Sequence, residues 1–192
     1  MKILTNPMFL LGICSLMLVI AKLIFKLDYM GTLEIISYHI NNFRNKTNNK
    51  LLKVPFFVYF ILPLILAIAI SRIKIADNNI VGNITVVLSI LTSMLFTILT
   101  LLIDFKGKLE ERNNGNGPKV IRLKNLIKEI YYAIMFEIIV SVLLLLLTFI
   151  FMITNQIGCT ISVIIYYLLF LFIFNLLIVL NRIFRIYEEI LK

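Results

Sequence analysis

The chain has 192 residues, 61% of them hydrophobic, with a mean hydropathy of +1.01 and a formal charge of +9. Ordinary soluble domains are about 45–50% apolar, and a chain this short has no interior for five apolar runs of membrane length, so lipid must cover much of the surface. The lysines and arginines flank the apolar runs, which is the positive-inside pattern of a membrane protein rather than a patch for nucleic acid, so no direct nucleic-acid partner is expected.

In chain order, the first run is Pro7–Phe25. Only Lys2 precedes it, no small-x-small cleavage site follows, and Lys22 and Lys26 lie at its far end. This is the pattern of an uncleaved anchor with an outside N-terminus. Residues 26–54 form a first long loop. Within it Leu33, Ile36, Ile40 and Phe43 recur at helical spacing before Asn41, Asn42, Arg44 and Lys46, so an amphipathic helix on the membrane surface is expected. His39, the single histidine, falls in that stretch and is expected at the interface.

The second run, residues 55–71, opens on Pro55 and contains Pro63, which removes a backbone hydrogen bond and should kink the helix. The third, residues 80–103, carries a row of hydroxyls. At 100° per residue Thr85, Ser89, Thr92, Ser93, Thr97 and Thr100 fall within an arc of about 140°, with Asp104 on the same face. Helices in lipid gain little by burying hydrophobes against one another, so this face is expected to point into the bundle. It would serve there either as a packing surface or as a polar track for water or an ion.

Residues 104–128 form a second long loop, with Asn113-Asn114-Gly115-Asn116-Gly117-Pro118 as its turn signal. Its Arg112, Lys119, Arg122, Lys124 and Lys128 are expected to meet a partner or anionic lipid headgroups. Glu110-Glu111 beside Arg112, and Glu188-Glu189 in the tail, are expected to be solvated charges. The fourth and fifth runs, residues 130–153 and 157–180, form a hairpin about the uncharged turn Thr154-Asn155-Gln156. A tail, residues 181–192, continues the last helix.

Glu137 is the one charged residue inside that hairpin, and a charge at the bilayer centre costs about 3 kcal/mol on insertion scales. Ser141 shares its face, Asn175 lies at similar depth on the next helix, and Arg182 is seven residues further. A cluster of these four is expected to satisfy the carboxylate. It would act as a structural tie between helices or as a protonation switch. Cys14 and Cys159 lie in apolar runs and are expected to pack between helices as small hydrophobes.

Of the nineteen lysines and arginines, only Lys2, Arg72 and Lys74 fall on the side opposite the long loops. The expected arrangement is an all-α, polytopic transmembrane bundle in one domain, residues 1–192. It sits in the plasma (inner) membrane with both long loops and the C-terminus in the cytoplasm. Catalytic chemistry has no support: there is no HExxH, no phosphate-binding glycine loop, no serine-nucleophile motif and no CxxC, and no cofactor or metal is expected. The size and basicity also suit accessory-regulator-type membrane peptidases, but those use a closely spaced His/Cys pair, and Cys14 and Cys159 are far from His39.

Three classes remain: a non-enzymatic membrane subunit that anchors or regulates a cytoplasmic protein, a small transporter or pore, and a bacteriocin-immunity or toxin-like membrane protein. The chain resembles the membrane components of the Kiwa anti-phage defence systems, the KwaA family. The resemblance lies in size, in Phe60-Ile61-Leu62-Pro63-Leu64-Ile65, in Leu102-Ile103-Asp104-Phe105-Lys106, and in the basic re-entry at Leu126–Glu137. That family is described with four membrane helices, where this sequence has five apolar runs. The resemblance implies a membrane-embedded oligomer that responds to phage and controls a cytoplasmic, DNA-binding partner.

Overall fold

A computed structural model describes residues 32–41, 53–112, 117–154 and 158–191. The run at residues 7–25, Phe43, the loop after it and the turn at residues 113–116 lie outside the described residues. The chain divides into two compact units, Met1–Ile36 and Ser37–Lys192. Of the first, the described part is the opening of helix α1, Thr32–Asn41. The second holds the close of α1 and four long helices: α2 (Lys53–Ile73), α3 (Asn78–Arg112), α4 (Pro118–Thr154) and α5 (Cys159–Leu191). Among the described residues there is no strand, and these four helices are each long and apolar enough to cross a membrane. Each satisfies its backbone internally, as hydrocarbon requires. The protein is a helical membrane bundle.

The helices pack in an order that differs from the sequence. α2 lies on α5, α5 on α4, and α4 on α3. The two inner helices, α4 and α5, have 44% and 39% of their most apolar windows buried, against 17% and 22% for α2 and α3. The core is therefore the α4–α5 hairpin, and the outer pair offers most of its surface to lipid.

The buried positions follow a 3.5-residue seam. In α4 they run through Val120, Leu123, Ile127, Ile130, Ile134, Glu137, Ser141, Leu144 and Thr148, alternating steps of three and four. In α3 Val81, Leu88, Leu95 and Leu102 recur every seven residues, and in α5 Ile165, Phe172, Val179 and Ile186 do the same. This is the knobs-into-holes period of left-handed helix pairs. Other leucines of α4 are just as apolar but face outward, such as Leu143 and Leu146. Lipid solvates them as well as protein would.

Pro63 does not break α2. Just upstream, Phe57–Ile61 form a π-helical turn in which Leu62 N–H bonds back to Phe57 O. The wider turn accommodates a ring that has no N–H to give to an ordinary α-turn. Pro63 itself is buried, and the π segment packs against α5.

The turn from α2 to α3, residues 74–77, is tied to the start of α5. Ala76 N–H donates to Ser162 Oγ at 3.0 Å and Tyr166 Oη donates to Lys74 O at 3.2 Å. Asp77 begins α3 by accepting Ile80 N–H at 2.8 Å, which holds its carboxyl below the usual carboxylate range, and Lys74 pairs with it at 3.4 Å. Ser162 is thus a bridge, whereas Cys159, expected to pack between helices, is exposed one turn earlier.

The seam has a direct test. Leu144→Ala, at a fully buried position, is expected to cost about 2–5 kcal/mol by removing side-chain volume from the core. Leu143→Ala, at a position 50% exposed, is expected to cost about 0.5 kcal/mol or less. Thermal unfolding of both variants in detergent, read by far-UV circular dichroism, distinguishes them.

Candidate functional site

The buried polar groups concentrate where α1 meets the α4–α5 hairpin. Two residues at the end of α1 make the joint. The Tyr38 ring stacks on Tyr132 of α4 with centroids 4.2 Å apart and planes within 7°. His39 stacks on Phe136 at 4.1 Å and 3°. The imidazole is 1% exposed, so His39 is a core residue of the bundle and not the interfacial group expected from its amphipathic surroundings. One polar side chain on α5 makes that possible. Asn175 Oδ1 lies 3.2 Å from His39 Nε2, while its Nδ2 donates to Leu171 O at 2.9 Å. With the amide nitrogen so engaged, Oδ1 is the acceptor and Nε2 carries the proton.

Burial pushes the His39 pKa down to about 4. The Asn175 hydrogen bond opposes the shift, and the positive charge of Arg182 adds to it. At neutral pH the ring is uncharged, which suits its place between an aromatic face and an amide.

The four residues expected to cluster are brought to one region but do not bond to one another as expected. Asn175 is committed to His39. Arg182 donates from Nη1 to Glu129 Oε2 at 3.4 Å, a half-screened pair between α5 and α4. Ser141 Oγ donates to Ile138 O of its own helix at 2.8 Å. Glu137 is fully buried, and neither carboxylate oxygen has a hydrogen-bond partner among the described residues. The reason lies in α5: its polar groups find closer partners, one on α1, which sequence spacing within the hairpin leaves out of view. An ionised carboxyl in this position costs several kcal/mol, so Glu137 is the strained member of the seam.

The hydroxyl row of α3 is also corrected. Thr92 is buried and Thr85 half-buried, but Ser89, Ser93, Thr97, Thr100 and Asp104 are exposed. Thr85, Ser89, Thr92, Thr97 and Thr100 each donate to the carbonyl four residues back, at 2.7–3.2 Å. A hydroxyl satisfied within its own helix can face outward at little cost, so nothing forces the row inward. Among the described residues its side-chain hydrogen bond to the neighbouring helix is Thr85 Oγ1 to Thr148 Oγ1 at 3.2 Å.

At the basic end two of the acidic residues expected to be solvated, Glu110 and Glu189, also make ion pairs, while Glu188 is exposed as expected. Lys124 lies 3.6 Å from Glu110 and links α4 to α3; Arg122 lies 3.6 Å from Glu189 and links α4 to α5. Lys128 Nζ sits 5.3 Å from the Tyr38 ring centroid. Arg112 and Lys119 occupy the facing ends of α3 and α4, and their side chains lie outside the described residues. Among the described residues no group of three or more His, Cys, Asp or Glu side chains is placed to hold a metal ion.

No protein family, curated protein or solved structure matches the chain.

Two measurements follow from this geometry. Glu137→Gln removes no hydrogen bond and is expected to leave assembly and melting temperature unchanged or slightly raised. Asn175→Leu strands His39 Nε2 and is expected to cost about 1–3 kcal/mol. Thermal unfolding in detergent separates them. The second concerns pH: a histidine whose folded pKa is depressed contributes stability that is complete above the unfolded value of 6.5 and is lost as pH falls from there towards about 4. The full loss is on the order of 3 kcal/mol. Hydrogen exchange at residues 37–41 is expected to accelerate on acidification through that window in the native chain but not in His39→Gln.

Proposed function

We propose that the chain is a non-enzymatic integral membrane subunit that anchors or regulates a cytoplasmic protein. The observation that carries this reading is a helical stem. α3, α4 and α5 have 35, 37 and 33 residues, about 50 Å each, whereas a hydrocarbon core is about 30 Å thick. Apart from Glu137, the charged residues of these helices lie only from Asp104 onward in α3, up to Glu129 in α4 and from Arg182 onward in α5, so the excess length lies at the basic end. There the heptad seam continues through Val120, Leu123, Ile127 and Ile186, and the three ion pairs Lys124–Glu110, Arg122–Glu189 and Arg182–Glu129 brace it. Each pair adds little energy alone, but together they hold three helix ends in register.

Such a stem is a rigid platform with exposed Lys106, Lys108, Arg122 and Arg185 on its outside. Charge bias supports a cytoplasmic stem, with the bundle in the plasma membrane. The resemblance to Kiwa membrane components gives this reading a specific form, the membrane sensor of an anti-phage defence system acting as a homo-oligomer. A small transporter or pore is the alternative. It draws on Glu137 alone, because most of the hydroxyl row that would line a conduit faces outward.

Photo-crosslinking residues placed at Lys108, Arg122 and Arg185 in native membranes are expected to capture one soluble protein, while the same residue at Met152 captures none. A reporter fused after Lys192 should lie on the cytoplasmic side. An exterior reporter, or a stem that captures nothing while purified protein in liposomes passes ions, would overturn the reading in favour of a conduit.

A further inference from the structure

A crevice of about 630 Å³ opens between α3 and α4 at the inner edge of the stem. The Lys124–Glu110 contact fixes the register of its two antiparallel walls. Counting along both helices from that tie sets Lys106 level with Lys128 and places Leu102 and Ile103 level with Tyr132 and Tyr131. The lining is therefore layered. An ion pair closes the end furthest from the bilayer, two lysines line the crevice at one level about one turn below, and apolar and tyrosyl side chains form the floor towards the hydrocarbon.

Charge within the crevice is unbalanced. Its walls bring Lys106 and Glu110 from α3 and Lys124 and Lys128 from α4, and the single carboxylate is already shared with Lys124. Lys106 has no ion-pair partner among the described residues, and Lys128 lies over the Tyr38 ring, which orients an ammonium without neutralising it. Two like charges at one level of a crevice this size call for an anion between them. The floor below them is apolar and leads to Ile103, 53% exposed on the bilayer side, and tyrosines are the aromatic residues suited to the headgroup level. An anion that carries its own hydrocarbon matches all three layers.

We propose that this crevice binds the phosphate headgroup of an anionic phospholipid, with Lys106 and Lys128 on the phosphate and the acyl chains descending past Leu102 and Ile103. Basic pockets between transmembrane helices are suited to such headgroups. The site also fixes the depth of the stem, since the lipid occupies the level at which the lysines must stand.

The test is native mass spectrometry of the full chain released from nanodiscs of mixed phosphatidylcholine and phosphatidylglycerol. The native protein is expected to retain phosphatidylglycerol over phosphatidylcholine. The Lys106→Gln/Lys128→Gln double variant should bind it about thirtyfold more weakly. The Lys106→Arg/Lys128→Arg variant should restore retention, and Lys74→Gln at the opposite end should leave it unchanged. Equal retention by the native and glutamine forms would overturn the proposal. So would displacement of the lipid by inorganic phosphate at matching concentration, which would assign the crevice to a soluble anion.

Discussion

A leucine in a bilayer gains almost nothing by leaving lipid for another leucine, and the architecture of this bundle depends on that constraint. Association must come from close packing and from the few polar groups that lipid cannot satisfy. The seam along α4 and α5 supplies the first. Its 3.5-residue period keeps one line of side chains against a partner over almost the whole length of α4, from Val120 to Thr148. Polar ties supply the second, and they stand at the helix ends and at one internal level: Ser162 and Tyr166 at the turn of residues 74–77, Asn175 with His39, and the ion pairs of the stem. Between these ties the outer helices α2 and α3 are held by few buried groups.

That distribution bears on function. The inner helices each have a neighbour on two sides, whereas α2 packs mainly on α5 and α3 mainly on α4, each along one face. The joint of α1 rests on two aromatic stacks and a hydrogen bond to a neutral histidine. Glu137 is one residue along α4 from the Phe136 ring on which His39 stacks, a buried carboxyl without a hydrogen bond among the described residues. The stem above continues the same helices, so the bundle and its basic end are joined through continuous backbone rather than through loops.

Much of this was legible in the sequence. Long apolar runs, uncharged turns and flanking lysines identify membrane helices because hydrocarbon admits no other way to satisfy a backbone. The cost of Pro63 was equally readable, although a π turn absorbs it where a kink was expected. The candidate site was less legible. Glu137, Asn175 and Arg182 stand out by their expense, and all three lie in the region where polar groups gather. Their partners do not follow from spacing along two helices, because Asn175 is claimed by a residue from a third helix and Arg182 by Glu129, a residue whose carboxylate lies in a charged stretch before the span.

The chain's own residues determined the medium, the helical class and the asymmetry of charge, since each is set by transfer into hydrocarbon and is summed locally along a segment. Tertiary structure alone decided which side of each apolar helix is buried, because lipid and protein interior reward the same side chains and leave no periodic contrast to read. It also decided the outward turn of the α3 hydroxyls, which their own helix satisfies, and the seclusion of His39, whose cost is met only when Asn175 from α5 and Phe136 from α4 arrive together.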